Sequence, residues 1–220
     1  MRSFALLLGA AIAAVPATAQ TVNEPGSGVA FPVTLNAPDG GTHALLGTGL
    51  RTRTMLNVKV YAFGVYADQA AARSALSAYA GRDAAALAAD ATLYDRLLRG
   101  DIPMSLRLVM TRNVSGEQMA EAFDGALRPR VQSAGEAGIQ ALDTFRGFFS
   151  LDRLTSGAVL DFTCTPGGTL HTSVSGERKP NIESRALCNA LFDVYLGRNP
   201  ISASGKRTAV SRLPEVLAGR

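Results

Sequence analysis

Residues 102–112 alternate between apolar and polar side chains, and this pattern restricts the chain to folds that contain a sheet. One face of an extended segment would carry the apolar set Met104, Leu106, Leu108 and Met110. The opposite face would carry Ser105, Arg107 and Thr111. Because successive side chains of a strand point to opposite faces, the segment is predicted to be a half-buried strand.

Extended and helical patterns surround this strand in an order typical of the α+β class. Runs of β-branched and aromatic residues, bounded by turn residues, predict further strands at about 31–35, 42–55, 57–68, 158–163 and 169–174. Periodic apolar residues predict an alanine-rich helical stretch at about 68–99 and helices that begin near 115, 133, 183 and 203. The predicted fold class is therefore α+β, an antiparallel sheet with helices packed on one face.

Capping signals define several helix ends. Ser115 and Gln118 have the spacing of a capping box, and Met119 and Phe123 begin the apolar stripe behind it. This helix is predicted to stop before Pro129, since proline interrupts a helix interior. The remaining helical signals are a last helix over about 203–217 and two caps, Thr92-x-x-Asp95 and Ser133-x-x-Glu136.

The first residues have the composition of an export signal. Arg2 is followed by a short apolar run from Phe4 to Val15 and by the small-residue site Ala17-Thr18-Ala19. The predicted parts of the chain are a signal peptide over 1–19, a flexible lead-in over 20–30 and one domain over 31–220. The apolar run is too short to span a bilayer, and no later stretch is long enough. Many arginines and alanines against few lysines favour a bacterial periplasm as the destination.

Composition and motifs exclude several function classes. The net charge of +4 is scattered along 220 residues without a basic run, so no nucleic-acid partner is predicted. His43 and His171 have no cysteine or carboxylate at ligand spacing; both are predicted at the surface, and no metal site is predicted. Gly47-Thr48-Gly49 leads into a strand rather than a helix, so it does not fit a dinucleotide site. No serine–histidine–acid triad can be assembled, and no cofactor is predicted.

The two cysteines, Cys164 and Cys188, have two interpretations. In an oxidising compartment they can close one disulfide between the late hairpin and the helix that follows it. Alternatively they remain two buried thiols in separate elements, since Cys188 falls on the apolar side of its predicted helix. The sequence leaves both interpretations open.

Arg51 and Arg53 stand in a long extended stretch, a few residues before the apolar run 58–63. An arginine on a strand is usually a solvated rim residue, but a buried guanidinium without a partner is costly. A guanidinium that faces a pocket therefore requires an internal acid or an anionic ligand, and its planar fork suits a carboxylate. Tyr61 on the next strand carries a hydroxyl that can donate to the same anion.

Four motifs together resemble the chalcone isomerase-like family. The first is Leu46–Arg51 followed by the Val-x-Val-Tyr-Ala-x-Gly-Val-Tyr pattern of residues 58–66. The others are, in chain order, Leu106–Gln118, Phe162–Leu170 and Phe192–Ser202. The resemblance runs over roughly 31–217 and implies the fold of that family, which includes enzymes, fatty-acid-binding proteins and non-catalytic relatives.

The resemblance also implies roles for individual residues. In the enzymes of the family an arginine after Gly-x-Gly-x contacts the ligand, and that position matches Arg51; a threonine on the next strand matches Tyr61. The tyrosine and asparagine that the enzymes carry on the capped helix match Met119 and Ala126, which have no hydrogen-bonding groups. Cyclisation of a phenolic enone needs donors around the developing charge, so this departure weighs against the enzyme.

The fatty-acid-binding branch pairs its arginine with a tyrosine beside an apolar cleft, and Arg51 with Tyr61 resembles that pair. We therefore predict non-catalytic binding of a fatty acid or similar amphipathic carboxylate in a cleft between sheet and helices. Arg51 and Tyr61 would hold the head group, Met119 and Phe123 would line the tail, and Arg53 is left at the surface. Two alternatives stay open: a chalcone isomerase-type intramolecular lyase that uses Arg51 and Tyr61, and a non-catalytic partner protein with a vestigial cleft. No oligomeric state is predicted.

Overall fold

The computed structural model describes residues 20–53 and 57–219. Its strands are β1 (Thr21–Asn23), β2 (Ala30–Pro32), β3 (Thr34–Asn36), β4 (Thr42–Arg53), β5 (Val58–Asp68), β6 (Met104–Met110), β7 (Val114–Ser115), β8 (Arg153–Leu154), β9 (Val159–Cys164), β10 (Thr169–Val174), β11 (Glu177–Arg178) and β12 (Ile182–Glu183). The helices are α1 (Gln69–Ala75), α2 (Ala84–Ala88), α3 (Ala91–Leu97), α4 (Gly116–Val131), α5 (Gly135–Gly147), α6 (Arg185–Leu196), α7 (Ala203–Thr208) and α8 (Leu213–Ala218). The predicted signal peptide lies outside the described residues.

One antiparallel sheet organises the domain. Its strands follow the order β11-β10-β9-β6-β5-β4-β3, and β12 also pairs with β10. The helices pack on one face of this curled sheet, which confirms the predicted α+β class. On the other face the hairpin β1–β2 covers a smaller cluster made by Phe31, Leu45, Ala62 and Tyr66.

The predicted alternation of buried and outward-facing side chains along β6 is confirmed. Met104, Leu106, Leu108 and Met110 are buried in the core between sheet and helices. In the middle of this core the aromatic rings of Phe123, Phe145, Phe149 and Phe162 pack together with centroids 5.1 to 5.7 Å apart. The other face of β6 carries Ser105 and Arg107, which belong to a polar surface described below.

Helix α4 begins at the predicted capping box but does not stop before Pro129. The Ser115 hydroxyl accepts from the Gln118 backbone N–H, and the Gln118 side chain accepts from the Ser115 N–H. The helix continues to Val131 because Leu127 and Val131, on either side of the proline, are both buried in the core. Packing of these side chains outweighs the hydrogen bond that proline cannot donate.

Two other predicted helix caps are wrong, and one predicted helix is interrupted. The cap of α3 is Asp90, whose carboxylate accepts from the backbone N–H groups of Thr92 and Leu93, and not Thr92. Ser133 lies inside a 3₁₀ turn over Gln132–Ala134 and cannot cap α5. The last helix is split into α7 and α8 because the chain turns to follow β4, where the Arg212 N–H donates to the Leu46 carbonyl (2.7 Å).

The lead-in over 20–30 is not the flexible segment that the sequence predicted. Residues 21–23 form β1, which pairs with β2, and Val22 packs on the outer cluster. The turn between these strands is closed by Glu24, a buried carboxylate that accepts from the Gly26 N–H (3.0 Å) and the Ser27 N–H (2.7 Å). These local bonds satisfy the backbone of the turn and hold the hairpin on the sheet.

A disulfide and a buried hydrogen bond also join separate elements of the fold. Cys164 on β9 and Cys188 on α6 form a disulfide, with their Cα atoms 5.8 Å apart. His43, predicted at the surface, is instead fully buried because its Nδ1 is hydrogen-bonded to the Ser105 hydroxyl (2.8 Å). Within residues 20–53 and 57–219, no helix has the length and hydropathy needed to cross a membrane.

Candidate functional site

Two β-bulges decide which side chains of β4 face the helices. Leu45 pairs with Tyr66 but Gly47 pairs with Val65, so Leu46 is an extra residue in β4. A bulge reverses the parity of all positions that follow it. Arg51 therefore lies on the helix side of the sheet, directly opposite Tyr61 of β5. The second register shift, between Arg51 and Thr52, has its extra residue, Val60, in β5, so the parity of β4 is kept beyond Arg51.

The glycines of β4 leave room for the helix that closes one wall of the site. A Cβ atom on Gly47 would lie 2.7 Å from the backbone carbon of Ala209, and one on Gly49 would lie 2.8 Å from the Cα of Gly205 in α7. Both distances are shorter than carbon atoms tolerate. The Gly-x-Gly pattern before Arg51 therefore serves the packing of α7 on the strand.

Arg51 is half-buried and has one hydrogen bond among the described residues. Its Nη1 donates to the backbone carbonyl of Ile201 (2.7 Å), just before α7. No carboxylate in the described ranges forms an ion pair with this guanidinium. Since a guanidinium has five N–H donors, most of its hydrogen-bonding capacity remains for a ligand.

Two buried phenols lie beside this cation. The Tyr61 hydroxyl and the Tyr195 hydroxyl of α6 are 3.0 Å apart. Burial raises the pKa of Tyr61 above its usual value of 10.0, although the Tyr195 hydrogen bond and the Arg51 charge act in the opposite direction. Burial likewise raises the pKa of Tyr195, and the Arg51 charge opposes this. Both groups are therefore neutral hydrogen-bond donors at any physiological pH.

Arg51, Tyr61 and Met119 line one open pocket of about 600 Å³ between β4, β5 and α4. The part of α4 next to the strands contributes Met119, the exposed Ala122 and Gly125 and the half-buried Ala126, which are small or apolar, and α4 also contributes the polar side chains Gln118 and Glu121. The other apolar residues of the lining are Val60, Val114 and Ile201. The structure thus joins three of the four predicted ligand-binding residues at one surface.

Phe123, the fourth, is placed elsewhere. It is buried in the aromatic core, with its ring centroid 5.1 Å from that of Phe149 and 5.7 Å from that of Phe162. Phe123 follows Met119 by one helical turn, but its side chain packs in the core between the sheet and the helices. The prediction that Phe123 lines the pocket is therefore wrong, because the core itself uses this side chain.

Charged residues surround the mouth of the pocket. Arg53 and Arg112, both exposed, and Glu121 of α4 belong to the lining. Arg53 is at the surface as predicted, but it shares the helix-side parity of Arg51 and adds positive charge to the rim. Three arginines against one carboxylate make this pocket electropositive.

Two residues that contact the site, Ile201 and Tyr195, were not predicted from the sequence. Ile201 contributes a backbone carbonyl, which no residue pattern reveals. Tyr195 falls on the apolar stripe of α6, where its ring packs edge-on against Phe63 at 4.9 Å, and the stripe alone indicates only core. A buried tyrosine needs a hydroxyl partner, and this requirement was the signal available for Tyr195.

Fold and site together define an open antiparallel sheet with an arginine–tyrosine pair on its helix side. The family model described as "Chalcone isomerase like" matches residues 41–210. The protein belongs to the chalcone isomerase-like family.

The relatives include proteins of two kinds. Fatty-acid-binding protein 2 of Arabidopsis thaliana is 35% identical over 198 residues, which cover 86% of this chain and 50% of the relative. A chalcone–flavanone isomerase of Oryza sativa subsp. japonica is 31% identical over 205 residues, 86% of this chain and 88% of the relative. The chain thus spans about half the length of the first of these relatives.

A solved structure shares the fold. The crystal structure of a fatty-acid binding protein of Arabidopsis thaliana superimposes with a TM-score of 0.76 at 26% sequence identity. The superposition covers 90% of this chain and 100% of that chain.

Proposed function

We propose that the protein binds a fatty acid or a similar amphipathic carboxylate in the Arg51 pocket and does not transform it. The observation that carries this proposal is the half-buried Arg51 guanidinium, whose one hydrogen bond in the described part of the chain goes to a neutral carbonyl. A cation withdrawn from water without an internal counter-charge favours an external anion. Fatty-acid-binding relatives and the shared fold support the same ligand class.

The head group would meet donors of two kinds. Arg51 offers a planar fork to both carboxylate oxygens. Tyr61 and Tyr195 share one hydrogen bond between two hydroxyls, so one O–H proton remains unused. When Tyr195 donates to Tyr61, the Tyr61 proton is free to bond a carboxylate oxygen at Arg51.

The tail would follow the surface of α4 rather than enter the core. Phe123 and its aromatic neighbours fill the space beneath the helix. The exposed surface at Ala122 and Gly125 and the half-buried Ala126 form a shallow apolar path next to the arginine. Hydrocarbon laid on this path is removed from water at about 25 cal/mol per Å² of apolar area.

The intramolecular lyase is the weaker candidate because of two side chains in the lining. Met119 and Ala126, which match the tyrosine and asparagine of the enzymes, both face the pocket and offer no hydrogen bond. A reaction that develops charge on an enolate would lack these donors. We expect no cyclisation of a hydroxychalcone above the spontaneous rate; measurable acceleration that disappears in Arg51→Met would establish the lyase instead.

We also propose that the protein acts after export. The signal-peptide pattern over 1–19 predicts it, and the Cys164–Cys188 disulfide is typical of an oxidising compartment. Fractionation of the source cells, followed by N-terminal sequencing of the mature protein, tests this. A cytosolic protein that keeps Met1 would contradict it.

The binding proposal is tested by titration of palmitate into the wild-type protein and three variants. Arg51→Met should weaken binding roughly 10- to 100-fold, since hydrogen bonds to charged groups contribute about 1.5–3 kcal/mol. Arg51→Lys should retain part of the affinity because it keeps the charge without the fork. Arg99→Met removes an exposed arginine outside the pocket and serves as the charge-matched control.

Two outcomes would contradict the proposal. One is equal palmitate affinity of wild type and Arg51→Met; the other is equal weakening by Arg99→Met, which would indicate nonspecific attraction. Extraction of the natively purified protein, followed by mass spectrometry, should release a long-chain acid. A protein that binds no carboxylate but associates with another protein would correspond to the vestigial cleft.

A further inference from the structure

The face of the sheet away from the helices holds a second hollow, of about 440 Å³. One wall is β3 with the turn after it, from Leu35 to Pro38, and the other is formed by Arg178, Lys179 and Asn181. β3 and β11 are the two ends of the strand order, so the curl of the sheet brings its opposite edges to the same hollow. The hairpin β1–β2 covers the neighbouring part of this face and leaves the hollow open.

The floor of the hollow is polar throughout. Ser105 and Arg107 of β6 lie directly opposite Thr163 and Asp161 of β9, and all four line the hollow. Arg107 binds Asp161 through two parallel hydrogen bonds of 2.7 and 2.9 Å. A sheet face left uncovered by helices is normally polar, but here it is also concave and walled on both sides.

A buried hydroxyl network lies under the same floor. The Ser105 hydroxyl contacts His43 Nδ1 (2.8 Å) and the Thr163 hydroxyl (2.7 Å), and His43 Nε2 lies 3.3 Å from an Asp39 oxygen. This order of side chains resembles a hydrolytic triad, but Ser105 is only 3% exposed and its hydroxyl is shared with Thr163. The group therefore forms a fixed floor and is not an accessible nucleophile.

The floor retains unused hydrogen-bonding capacity. Thr163 has one hydrogen-bond partner among the described residues, and a hydroxyl can make three bonds. The Thr163 hydroxyl can therefore make a further hydrogen bond to an oxygen of a ligand or of water at the floor.

Charge at this hollow is positive at the rim and neutral in the centre. Arg107 is neutralised by Asp161. Arg178 is exposed and forms no ion pair within the described ranges, and Lys179 pairs with Glu177, which is 73% exposed. The Lys179 side chain is 17% exposed but its partner Glu177 lies largely in water, so an anion at the rim can compete with Glu177 for Lys179.

From this arrangement we infer that the outer hollow is a second ligand site for a small hydroxylated carboxylate, of the sugar-acid class. The rim cations Arg178 and Lys179 would hold the carboxylate, and the Ser105–Thr163 floor with the Arg107–Asp161 pair would bond the hydroxyls. The floor offers no apolar path to a long alkyl chain, since the apolar side chains Leu35, Ala37 and Pro38 are confined to one wall. The inference does not rest on the proposed fatty-acid site, which lies on the opposite face of the sheet.

The test is a nuclear magnetic resonance titration of the isotope-labelled full chain with three probes. Glucuronate carries charge and hydroxyls, glucose carries hydroxyls alone, and acetate carries charge alone. Glucuronate should shift the amides of β6, β9 and β10 with an affinity at least tenfold higher than either other probe. The chemical shifts of amides around Arg51 should not change on addition of glucuronate. Palmitate should shift the amides around Arg51 and leave those of β6, β9 and β10 unchanged.

Variants then separate the site from general electrostatics. Arg178→Gln/Lys179→Gln should weaken glucuronate binding at least tenfold and leave palmitate binding unchanged. Arg99→Gln/Arg153→Gln removes two exposed positive charges elsewhere and should change glucuronate binding less than twofold. Thr163→Val should weaken glucuronate more than acetate, because it removes a floor hydroxyl at nearly constant shape.

The results that would overturn the inference are specific. Absence of glucuronate-induced shifts on the outer face, or equal affinities for the three probes, would remove the site. If both double variants weaken glucuronate binding equally, the binding depends on net charge and not on a site in the outer hollow. Loss of palmitate binding with intact glucuronate binding would refute only the proposed function, so the two failures are distinguishable.

Discussion

Arg51 and Arg107 lie on β4 and β6 of the same sheet, but they point to opposite faces and meet different partners. Arg107 faces Asp161 on the neighbouring strand and forms a bidentate ion pair with it. Arg51 faces Tyr61 and donates to a backbone carbonyl. Both residues are arginines on strands of one sheet, so the face and the register partner decide whether the fold supplies a carboxylate for the guanidinium.

The comparison also explains why the two surfaces differ in chemistry. The pocket around Arg51 combines a cation that has no carboxylate partner among the described residues with small and apolar residues of α4, which would suit an amphipathic acid. At the outer hollow the central cation is already paired, and binding would depend on hydroxyls and rim charge. The two faces of the sheet would thus select their ligands by different physical terms.

The largest expected change in stability comes from a variant that breaks the Arg107–Asp161 ion pair. Asp161→Leu leaves Arg107, whose side chain is 24% exposed, without its counter-charge. We expect a loss of about 2–3 kcal/mol in the free energy of unfolding, less than for a fully buried pair because some water still reaches Arg107. Arg51→Met should cost below about 1 kcal/mol, since it removes one hydrogen bond and no ion pair. Urea unfolding of both variants measures the difference.

The double variant Arg107→Leu/Asp161→Leu is the control for this prediction. It removes both charges, so most of the lost stability should return. If the double variant is as unstable as Asp161→Leu, the loss comes from packing and not from an unpaired cation. A loss in Arg51→Met equal to that in Asp161→Leu would end the distinction between the two arginines.

A smaller effect separates the two tyrosines at the Arg51 pocket. Tyr61→Phe removes the hydroxyl nearest the proposed head group and should weaken palmitate binding roughly tenfold, since a hydrogen bond to a charged group contributes about 1.5 kcal/mol or more. Tyr195→Phe leaves the Tyr61 proton free to donate and should change the affinity less than twofold. Titration of palmitate into both variants provides the measurement. The reverse order of effects would mean that Tyr195, not Tyr61, contacts the acid.

The smallest effect concerns the histidine under the outer hollow. Burial lowers the pKa of His43 below its usual 6.5, while the neighbouring carboxylates Asp39 and Asp68 partly oppose the shift. The unfolded chain therefore takes up a proton near pH 6.5 that the folded chain accepts only at lower pH. Stability from this group is complete above pH 6.5 and is lost as the pH falls below it.

Urea unfolding between pH 7.5 and pH 5 checks the sign. The free energy of unfolding should decrease with acidification in the wild type and should depend less on pH in His43→Gln, whose amide can still bond Ser105. Asp101 and Asp124, whose pKa values lie below 3.8, act only at more acidic pH. A wild-type profile that is flat over this range, or an unchanged slope in His43→Gln, would contradict burial as the cause.

Local patterns predicted most of the fold. Alternation in β6 and the capping box of α4 depend on neighbours in sequence, and both were confirmed. The continuation of α4 through Pro129 depends on tertiary packing, which overrides local propensity. The bulge at Leu46, which turns Arg51 toward the helices, has no signal beyond the nearby glycines.

The candidate site could be predicted where a side chain lines the pocket, but not where backbone geometry forms it. Residue type and family resemblance pointed to Arg51, Tyr61 and Met119, and all three line one pocket, while their role as ligand contacts stays a prediction. Ile201 acts through its backbone, and Tyr195 resembles any core aromatic of an amphipathic helix. The prediction that Phe123 lines the pocket was wrong because helical spacing cannot distinguish a residue of the pocket wall from a core residue one turn away.

Paired titrations of palmitate and hexadecanol into the wild-type protein and Arg51→Met show whether the Arg51 guanidinium holds the acid. The two ligands share their chain and differ in the carboxylate. We expect that the wild type prefers palmitate by at least tenfold and that Arg51→Met loses this preference while its affinity for hexadecanol is unchanged. Equal affinities in the wild type, or a preference that survives in Arg51→Met, would show that the Arg51 guanidinium does not hold the acid.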